Sequence, residues 1–244
     1  MYERIQLWFR ALTLTIPFMS CVSGAWSQVQ VTGTVSYQES LLASQSLGFE
    51  HLNLIGIGQD PDDGVTYLAC STSTNSPCPS PDNIHIYRHD PMSNQWVFDG
   101  SINHPGEINT SFVDVEGDRI AIGQSFFSGS IGNDSVDVYK RGPLGVWSHE
   151  GTYRPADNFV GDFFGFSVSL DGDLLAVGAP QEGDDPRASQ IGPGAVYVYR
   201  FQNGIWNLED KVIASDGQDG DYFGDGVEMN TTPTGWRLLV SAPD

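Results

Sequence analysis

The stretch FGFSVSLDGDLLAVGAP at residues 164–180 decides the fold of this chain. Its first half, residues 164–170, alternates between apolar and small or polar residues with a period of two, which is the pattern of a β-strand. The dipeptide Asp171-Gly172 follows, and it favours a tight hairpin turn. Residues 174–178 form a continuous apolar run, as expected for a strand that is buried on both faces. The stretch therefore predicts two antiparallel strands joined by a short turn.

Two more strands complete the same unit, and the whole unit recurs along the chain. Residues 195–201 and 205–213 are the third and fourth strands, and the hairpin dipeptide Asn203-Gly204 lies between them. Segments like the third strand occur at 83–88, 135–140 and 195–200, and each is followed by a tryptophan, namely Trp96, Trp147 and Trp206. Apolar segments like the second strand occur at 53–58, 118–123, 173–180 and 237–243.

Four antiparallel strands in a unit of about 50–60 residues predict a β-propeller built of four-stranded blades. A β-sandwich is the competing all-β fold, but it does not explain the repetition. Glycines at fixed positions are expected where inner strands approach closely and where turns need positive φ. The repeated tryptophans are expected to fill the space between adjacent blades rather than to bind a ligand.

The repeats predict an incomplete ring of about 3.5 blades, and we expect the chain to belong to a larger ring. The predicted parts are a signal peptide at 1–27, a closing outer strand and linker at 28–47, blade 1 at 48–103, blade 2 at 104–162, blade 3 at 163–222, and a truncated half of blade 4 at 223–244.

The first 27 residues have the pattern of a signal peptide. Arg4 and Arg10 precede a short apolar run at residues 11–22, and small residues follow at cleavage spacing. The run is too short for a membrane-spanning helix, which needs about 20 apolar residues. Attachment of lipid at Cys21 is an alternative to simple cleavage. We therefore expect the protein to be secreted or to lie in the cell envelope, without a membrane span.

The chain is strongly acidic, with 31 Asp and Glu against 11 Lys and Arg and a formal net charge of −20. This charge argues against binding to nucleic acid or to an anionic membrane surface, because both would repel the protein. Cys70 and Cys78 remain after cleavage of the signal peptide and bracket a short polar loop. In an exported protein such a pair indicates a disulfide.

The recurring segments resemble the FG-GAP repeat of integrin α-subunit heads. The FG half matches at Phe164-Gly165 and Phe223-Gly224, and the GAP half matches at residues 178–180 and 241–243. Residues 212–224 are similar to the linker of bacterial members of the family. The resemblance covers about residues 40–244, with weaker copies in the first half. It implies a propeller fold and a role in extracellular adhesion or recognition.

The calcium-binding loop of integrin repeats, D-x-[DN]-x-D-G-x-x-D, is missing from this chain. The corresponding loops are only residues 171–173 and 230–236, and these cannot supply the roughly six to eight oxygen ligands that calcium needs. Asp216, Asp219 and Asp221 are the candidates for a calcium site that remain, although aspartates of this kind are common in solvated turns. Two further acidic groups, taken as counterparts of one another, are Asp60, Asp62 and Asp63, and Asp184 and Asp185.

The sequence contains no recognisable catalytic motif, and we predict no catalytic or cofactor-binding residues. Nucleophile elbow, zinc-protease and phosphate-loop patterns are all missing. The five histidines lie singly on predicted strands or turns and are expected to be structural or solvated. The first expectation is a non-catalytic module that binds an extracellular protein or glycan through loops at one rim. The alternatives are the propeller domain of an extracellular hydrolase and a structural protein of the cell envelope.

Overall fold

The computed structural model describes residues 17–22, 25–30, 52–60, 64–72, 83–103, 112–125, 134–157, 161–183 and 191–243. These residues form strands, turns and irregular connections without any helix. In particular, no helix of this part of the chain has the length and hydrophobicity that crossing a bilayer requires.

The chain divides into two compact units. The first comprises residues 1–50 and 90–96, and the second comprises residues 51–89 and 97–244. Within the first unit, β1 (Pro17–Val22) pairs antiparallel with β2 (Ala25–Gln30). This hairpin overlaps the predicted signal peptide, and its pairing does not test cleavage. Most of the predicted closing strand at 28–47 lies outside the described residues.

Three four-stranded antiparallel sheets and one hairpin follow, each built from strands that are consecutive in the chain. The first sheet contains β3 (Leu52–Gln59), β4 (Thr66–Thr72), β5 (Asn83–Asp90) and β6 (Gln95–Asn103). The second contains β7 (Val113–Glu116), β8 (Arg119–Gln124), β9 (Ser135–Arg141) and β10 (Trp147–Tyr153). The third contains β11 (Ser167–Asp171), β12 (Leu174–Ala179), β13 (Ala195–Gln202) and β14 (Ile205–Val212). The hairpin consists of β15 (Gly226–Thr232) and β16 (Gly235–Ser241).

The sheets pack face to face in chain order, as the blades of a propeller do. The first strand of each sheet, called here the inner strand, contacts the inner strand of the next, so β7 contacts β3 and β11, and β11 contacts β15. A hydrophobic cluster lies between each successive pair of sheets. Tyr67, Phe164 and Tyr197 are among the largest fully buried side chains, and burial of each contributes about 2–3 kcal/mol. The fold is therefore an all-β partial propeller, and its sheets do not close into a ring within the described residues.

Glycines allow the second strand of one sheet to approach the start of the next sheet closely. A Cβ on Gly123 would lie 2.0 Å from the carbonyl oxygen of Gly165, and a Cβ on Gly178 would lie 2.0 Å from that of Gly224. Gly165 and Gly224 themselves have φ values of +88° and +100°, which glycine adopts without strain. The GAP glycine of one sheet therefore packs on the FG glycine of the next, which confirms the expected close approach.

The tryptophans of the second and third sheets lie between sheets, as predicted. Trp147 meets Tyr67 of the first sheet edge-on, with ring centroids 6.0 Å apart. Trp206 is buried in the cluster between the second and third sheets, and its Nε1 donates to Glu150 Oε2 at 3.1 Å. These two side chains serve inter-sheet packing.

The assignment of residues 53–58 to a second strand is wrong. Those residues belong to β3, the inner strand, and β4 takes the second position in the first sheet. The cause is a close contact with β7, since a Cβ on Gly58 would lie 1.7 Å from the carbonyl oxygen of Val115. The glycines of this segment resemble those of a GAP strand in sequence, but they are needed for close contact between the inner strands β3 and β7.

This correction also changes the two acidic groups taken as counterparts. Asp60 lies between the first and second strands of its sheet, whereas Asp184 and Asp185 belong to a connection between the second and third strands. The two groups are therefore not equivalent. Asp62, Asp63, Asp184 and Asp185 lie outside the described residues.

Candidate functional site

The connections between strands are long at one edge of the sheets and short at the other. Because the strands are antiparallel and consecutive, connections from second to third strands and from fourth strands to the next sheet meet at one edge. These connections have nine to fifteen residues: 73–82, 104–112, 125–134, 154–166, 180–194 and 213–225. Those at the opposite edge have two to six: 60–65, 91–94, 117–118, 142–146, 172–173, 203–204 and 233–234. We call the first edge the long-loop rim and the second the short-turn rim.

Lys211 joins two connections of the long-loop rim to the outer strand of the third sheet. Its Nζ lies 2.8 Å from Asp157 Oδ2, in connection 154–166, and 2.8 Å from Glu182 Oε1, in connection 180–194. Tyr197 completes the group, because its hydroxyl donates to Asp157 Oδ1 at 3.3 Å and its ring lies below Lys211. Glu182 is buried and Asp157 is half exposed. The network ties the bases of both connections to one strand.

The ionisation of this network suits a structural role. Burial opposes the charge of Asp157, but the hydrogen bond and the charge of Lys211 outweigh it and lower the pKa of Asp157. Burial, reinforced by the carboxylates of Glu182 and Asp157, raises the pKa of Tyr197 far above its ordinary value. The lysine and Asp157 therefore stay charged at neutral pH, while the tyrosine stays a hydrogen-bond donor.

A second polar group surrounds Asp137 in the second sheet. Asp137 is buried, and its Oδ1 accepts from Thr152 Oγ1 and lies 3.1 Å from Nε2 of His149. Its Oδ2 accepts from Gln124 Nε2 at 3.1 Å. Thr152 Oγ1 also lies 3.2 Å from His149 Nε2. The same ring nitrogen faces Asp137, and the hydroxyl donates to that carboxylate, so the imidazole does not stand between the acid and the hydroxyl as a general base would. The arrangement satisfies a buried acid and does not form a nucleophile–base pair.

Sequence reasoning missed both groups. Asp137 and Tyr197 occupy equivalent positions in their third strands, where an alternating apolar pattern surrounds them. A carboxylate in the middle of such a strand was the available signal for Asp137, because a buried acid needs hydrogen-bond donors. No comparable signal marked Lys211, whose partners are 29 and 54 residues away in sequence.

The structure places the calcium candidates in connection 213–225 without gathering them. Asp221 Oδ2 accepts a hydrogen bond from the backbone N of Gln218 at 2.8 Å, which is a turn-stabilising contact. Asp216 and Asp219 are exposed. Within the described ranges, no group of three or more His, Cys, Asp or Glu side chains is suited to hold a metal ion. The three aspartates remain candidates for a calcium site, as predicted from the sequence, and solvated turn residues are the alternative.

The predicted disulfide also stays a prediction. The backbone of Cys70 lies in β4, between Ile55 and His85 of the neighbouring strands. Cys78 lies outside the described residues.

Comparisons with solved structures find distant likenesses. Sqt1 of Saccharomyces cerevisiae is 13% identical with a TM-score of 0.44, and the alignment covers 78% of this chain and 45% of that one. An alpha-L-arabinanase of Penicillium chrysogenum, complexed with arabinobiose, is also 13% identical with a TM-score of 0.49, covering 78% and 57%. The chain thus spans about half the length of each. Neither likeness bears on function at this distance. No curated protein matches the sequence.

One family model matches, that of the FG-GAP repeat, over residues 147–199. The matched span begins at β10 and ends within β13, so it includes Phe164-Gly165 and the GAP segment of β12. The chain carries an FG-GAP repeat at residues 147–199.

Proposed function

We propose that this protein is a non-catalytic recognition or scaffolding module of the extracytoplasmic space, which binds a protein or glycan through the long-loop rim. The observation that carries the proposal is the difference in length between the connections of the two rims. Long connections on a rigid β-scaffold are where binding residues usually lie, whereas turns of two residues offer little contact surface.

The Lys211 network supports the same rim. It fixes the bases of connections 154–166 and 180–194, so part of the conformational cost of ordering them is met before a ligand arrives. Connection 213–225 adds exposed apolar and acidic side chains, namely Ile213, Asp216 and Asp219. An apolar contact flanked by carboxylates suits a partner that offers both apolar and basic or hydroxyl groups.

A binding screen tests the proposal directly. The purified chain is passed over immobilised extracellular matrix proteins and glycans, and each ligand found is measured again with two matched variants. The rim variant combines Ile213→Ser with Asp216→Asn and Asp219→Asn. The control variant replaces Leu144 and Val146 with serine in the short-turn rim, where both side chains are also exposed.

We expect the rim variant to weaken binding by about tenfold or more and the control to leave it unchanged, since contacts at the centre of an interface dominate its affinity. Equal effects of both variants, or failure of every ligand to bind, would contradict the rim as the binding surface. Turnover of a glycan by the purified chain would contradict the non-catalytic role and favour the hydrolase alternative.

A further inference from the structure

The second strands of the first two sheets carry different kinds of residue at one equivalent position. Tyr67 of β4 lies opposite Arg88, and Arg119 of β8 lies opposite Lys140. Arg88 and Lys140 each directly follow the repeated tyrosine of their own third strand, so the two positions correspond. This second-strand position therefore holds an aromatic residue in the first sheet and a cation in the second.

The third strands of the second and third sheets differ in the same way. Arg141 of β9 lies opposite Trp147, and Phe201 of β13 lies opposite Trp206. Because each residue pairs with the repeated tryptophan of its sheet, these positions also correspond. This third-strand position therefore holds a cation in the second sheet and an aromatic residue in the third.

The two positions meet at both contacts between four-stranded sheets. Where the first sheet packs on the second, Arg141 Cζ lies 5.0 Å from the centroid of the Tyr67 ring. Where the second sheet packs on the third, Arg119 Cζ lies 4.0 Å from the centroid of the Phe201 ring. Each contact thus contains a cation–π pair. The later sheet supplies the cation in the first contact, and the earlier sheet supplies it in the second.

An acidic residue of the earlier sheet binds the cation in both contacts. Asp99 Oδ2 lies 3.4 Å from Arg141 Nε, and Glu150 accepts two hydrogen bonds from Arg119, of 2.9 and 3.0 Å. Asp99 also lies 3.5 Å from Arg88 of its own sheet. The side chains of Asp99 and Glu150 are only 10% and 14% exposed, so the loss of a cation beside either acid is costly.

We propose that this exchange of cation and aromatic residue between the two positions selects which sheet packs on which. If the first sheet packed on the third, Tyr67 would meet Phe201, and neither position would supply a cation to Asp99. If two copies of the second sheet packed together, Arg119 would meet Arg141, and two desolvated cations would repel each other.

The order found in the structure joins a cation to both a ring and an acid at each contact. Chains of similar repeats can assemble in the wrong order or exchange segments between molecules, and a selective contact disfavours both errors. The selection acts whatever ligand the long-loop rim binds.

Reversal of the pair at the first contact tests the proposal in the full chain. Tyr67→Arg alone places two arginines against each other, and the further change Arg141→Phe recreates the arrangement of the second contact. We expect Tyr67→Arg to raise the equilibrium constant of unfolding, measured in urea, by about tenfold or more. The exchange variant, with both changes, should recover most of that loss.

Tyr67→Arg combined with Lys140→Met is the matched control. It has the same net charge as the exchange variant, but Lys140 pairs with Asp118 of its own sheet, so no recovery is expected. Failure of the exchange variant to recover stability, or equal recovery in the control, would overturn the proposal.

A milder pair of substitutions decides the matter if neither Tyr67→Arg nor the exchange variant folds. Tyr67→Leu, Arg141→Met and the corresponding double variant form a mutant cycle. Coupling between the two positions that changes the unfolding constant by about threefold or more supports the proposal, and smaller coupling overturns it.

Discussion

Gly178 of β12 and Gly224, which precedes β15, are in such close contact that a Cβ on Gly178 would lie 2.0 Å from the carbonyl oxygen of Gly224. The same distance separates the Cβ position of Gly123 from the carbonyl oxygen of Gly165. In both places the GAP glycine of one sheet supports the FG glycine of its successor, so the two halves of the family motif meet across a sheet boundary.

The first prediction concerns this contact. Gly178→Ala should lower the free energy of unfolding by about 1–3 kcal/mol or more, because the added methyl group meets backbone that cannot move aside independently. Gly100→Ala is the control, since no atom lies within 4 Å of a Cβ built there and its φ is not positive. Urea denaturation of both variants gives the comparison, and equal loss at the two sites would contradict the packing argument.

The second prediction concerns Glu150, which accepts hydrogen bonds from Arg119 and Trp206. Desolvation opposes its charge, but these bonds outweigh it and lower the pKa of Glu150. A lowered pKa means that the stabilisation is present at neutral pH and is lost as the pH falls through the folded value. We expect Glu150→Gln to cost about 1.5–3 kcal/mol at pH 7, measured by denaturant unfolding, and much less in acid.

Glu209→Gln is the matched control for that experiment. Glu209 is also three residues after the repeated tryptophan of its sheet and pairs with Arg200, but this pair is more exposed. Its loss should cost less than about 1 kcal/mol. A larger effect at Glu209 than at Glu150 would show that burial does not set the strength of these pairs.

The third prediction concerns Lys211. Lys211→Met keeps the aliphatic stem and removes the ammonium, which leaves the buried carboxylate of Glu182 facing Asp157 without a cation. We expect a loss of about 1.5–3 kcal/mol at pH 7 in thermal or chemical unfolding. Lys140→Met, which breaks the half-exposed pair with Asp118, should cost less than about 1 kcal/mol.

The fourth prediction concerns calcium. Because Asp221 is engaged in its own turn and Asp216 and Asp219 are solvated, we expect neither calcium nor a chelator to change the melting temperature. A ligand that binds only the folded state would raise it. A calcium-dependent rise that disappears in the triple variant Asp216→Asn, Asp219→Asn and Asp221→Asn would instead establish the site.

The fifth prediction concerns Cys70 and Cys78. If the protein is exported, as residues 1–27 predict, mass spectrometry should find one peptide pair that reduction separates, because such a pair oxidises readily outside the cytoplasm. Reduction should then lower the free energy of unfolding by about 2–3 kcal/mol. Free thiols on both residues in the exported protein would contradict the pairing.

Sequence alone predicted the third sheet well because its local signals agree with its packing. The turn glycine Gly172, the buried run of β12 and the alternation of β13 all indicate the same strands. In the first sheet, Gly56 and Gly58 are needed because a side chain at either position would meet the backbone of β7. The resulting glycine pattern resembles that of a GAP strand. The second strand of that sheet, β4, lacks the motif glycine and was therefore missed.

The sequence did not predict the polar contacts between sheets, for a different reason. Asp114 and Leu170 are 56 residues apart, and Lys211 and Asp157 are 54 residues apart. Their pairing depends on how consecutive sheets are rotated against each other, which no periodicity of a single strand encodes. The repeat predicted that consecutive sheets pack against each other. Which polar residues pair across the sheets depends on the register between them, and the repeat does not give that register.

The glycine contacts have a consequence for how such chains can grow by duplication. Each close contact takes one glycine from the end of a second strand and the other from the start of the following sheet. The matched span 147–199 contains Gly165 and Gly178 but neither of their contact partners, Gly123 and Gly224. A duplicated segment of this kind therefore keeps its close contacts only where the repeats on both sides of it also carry glycine at these positions.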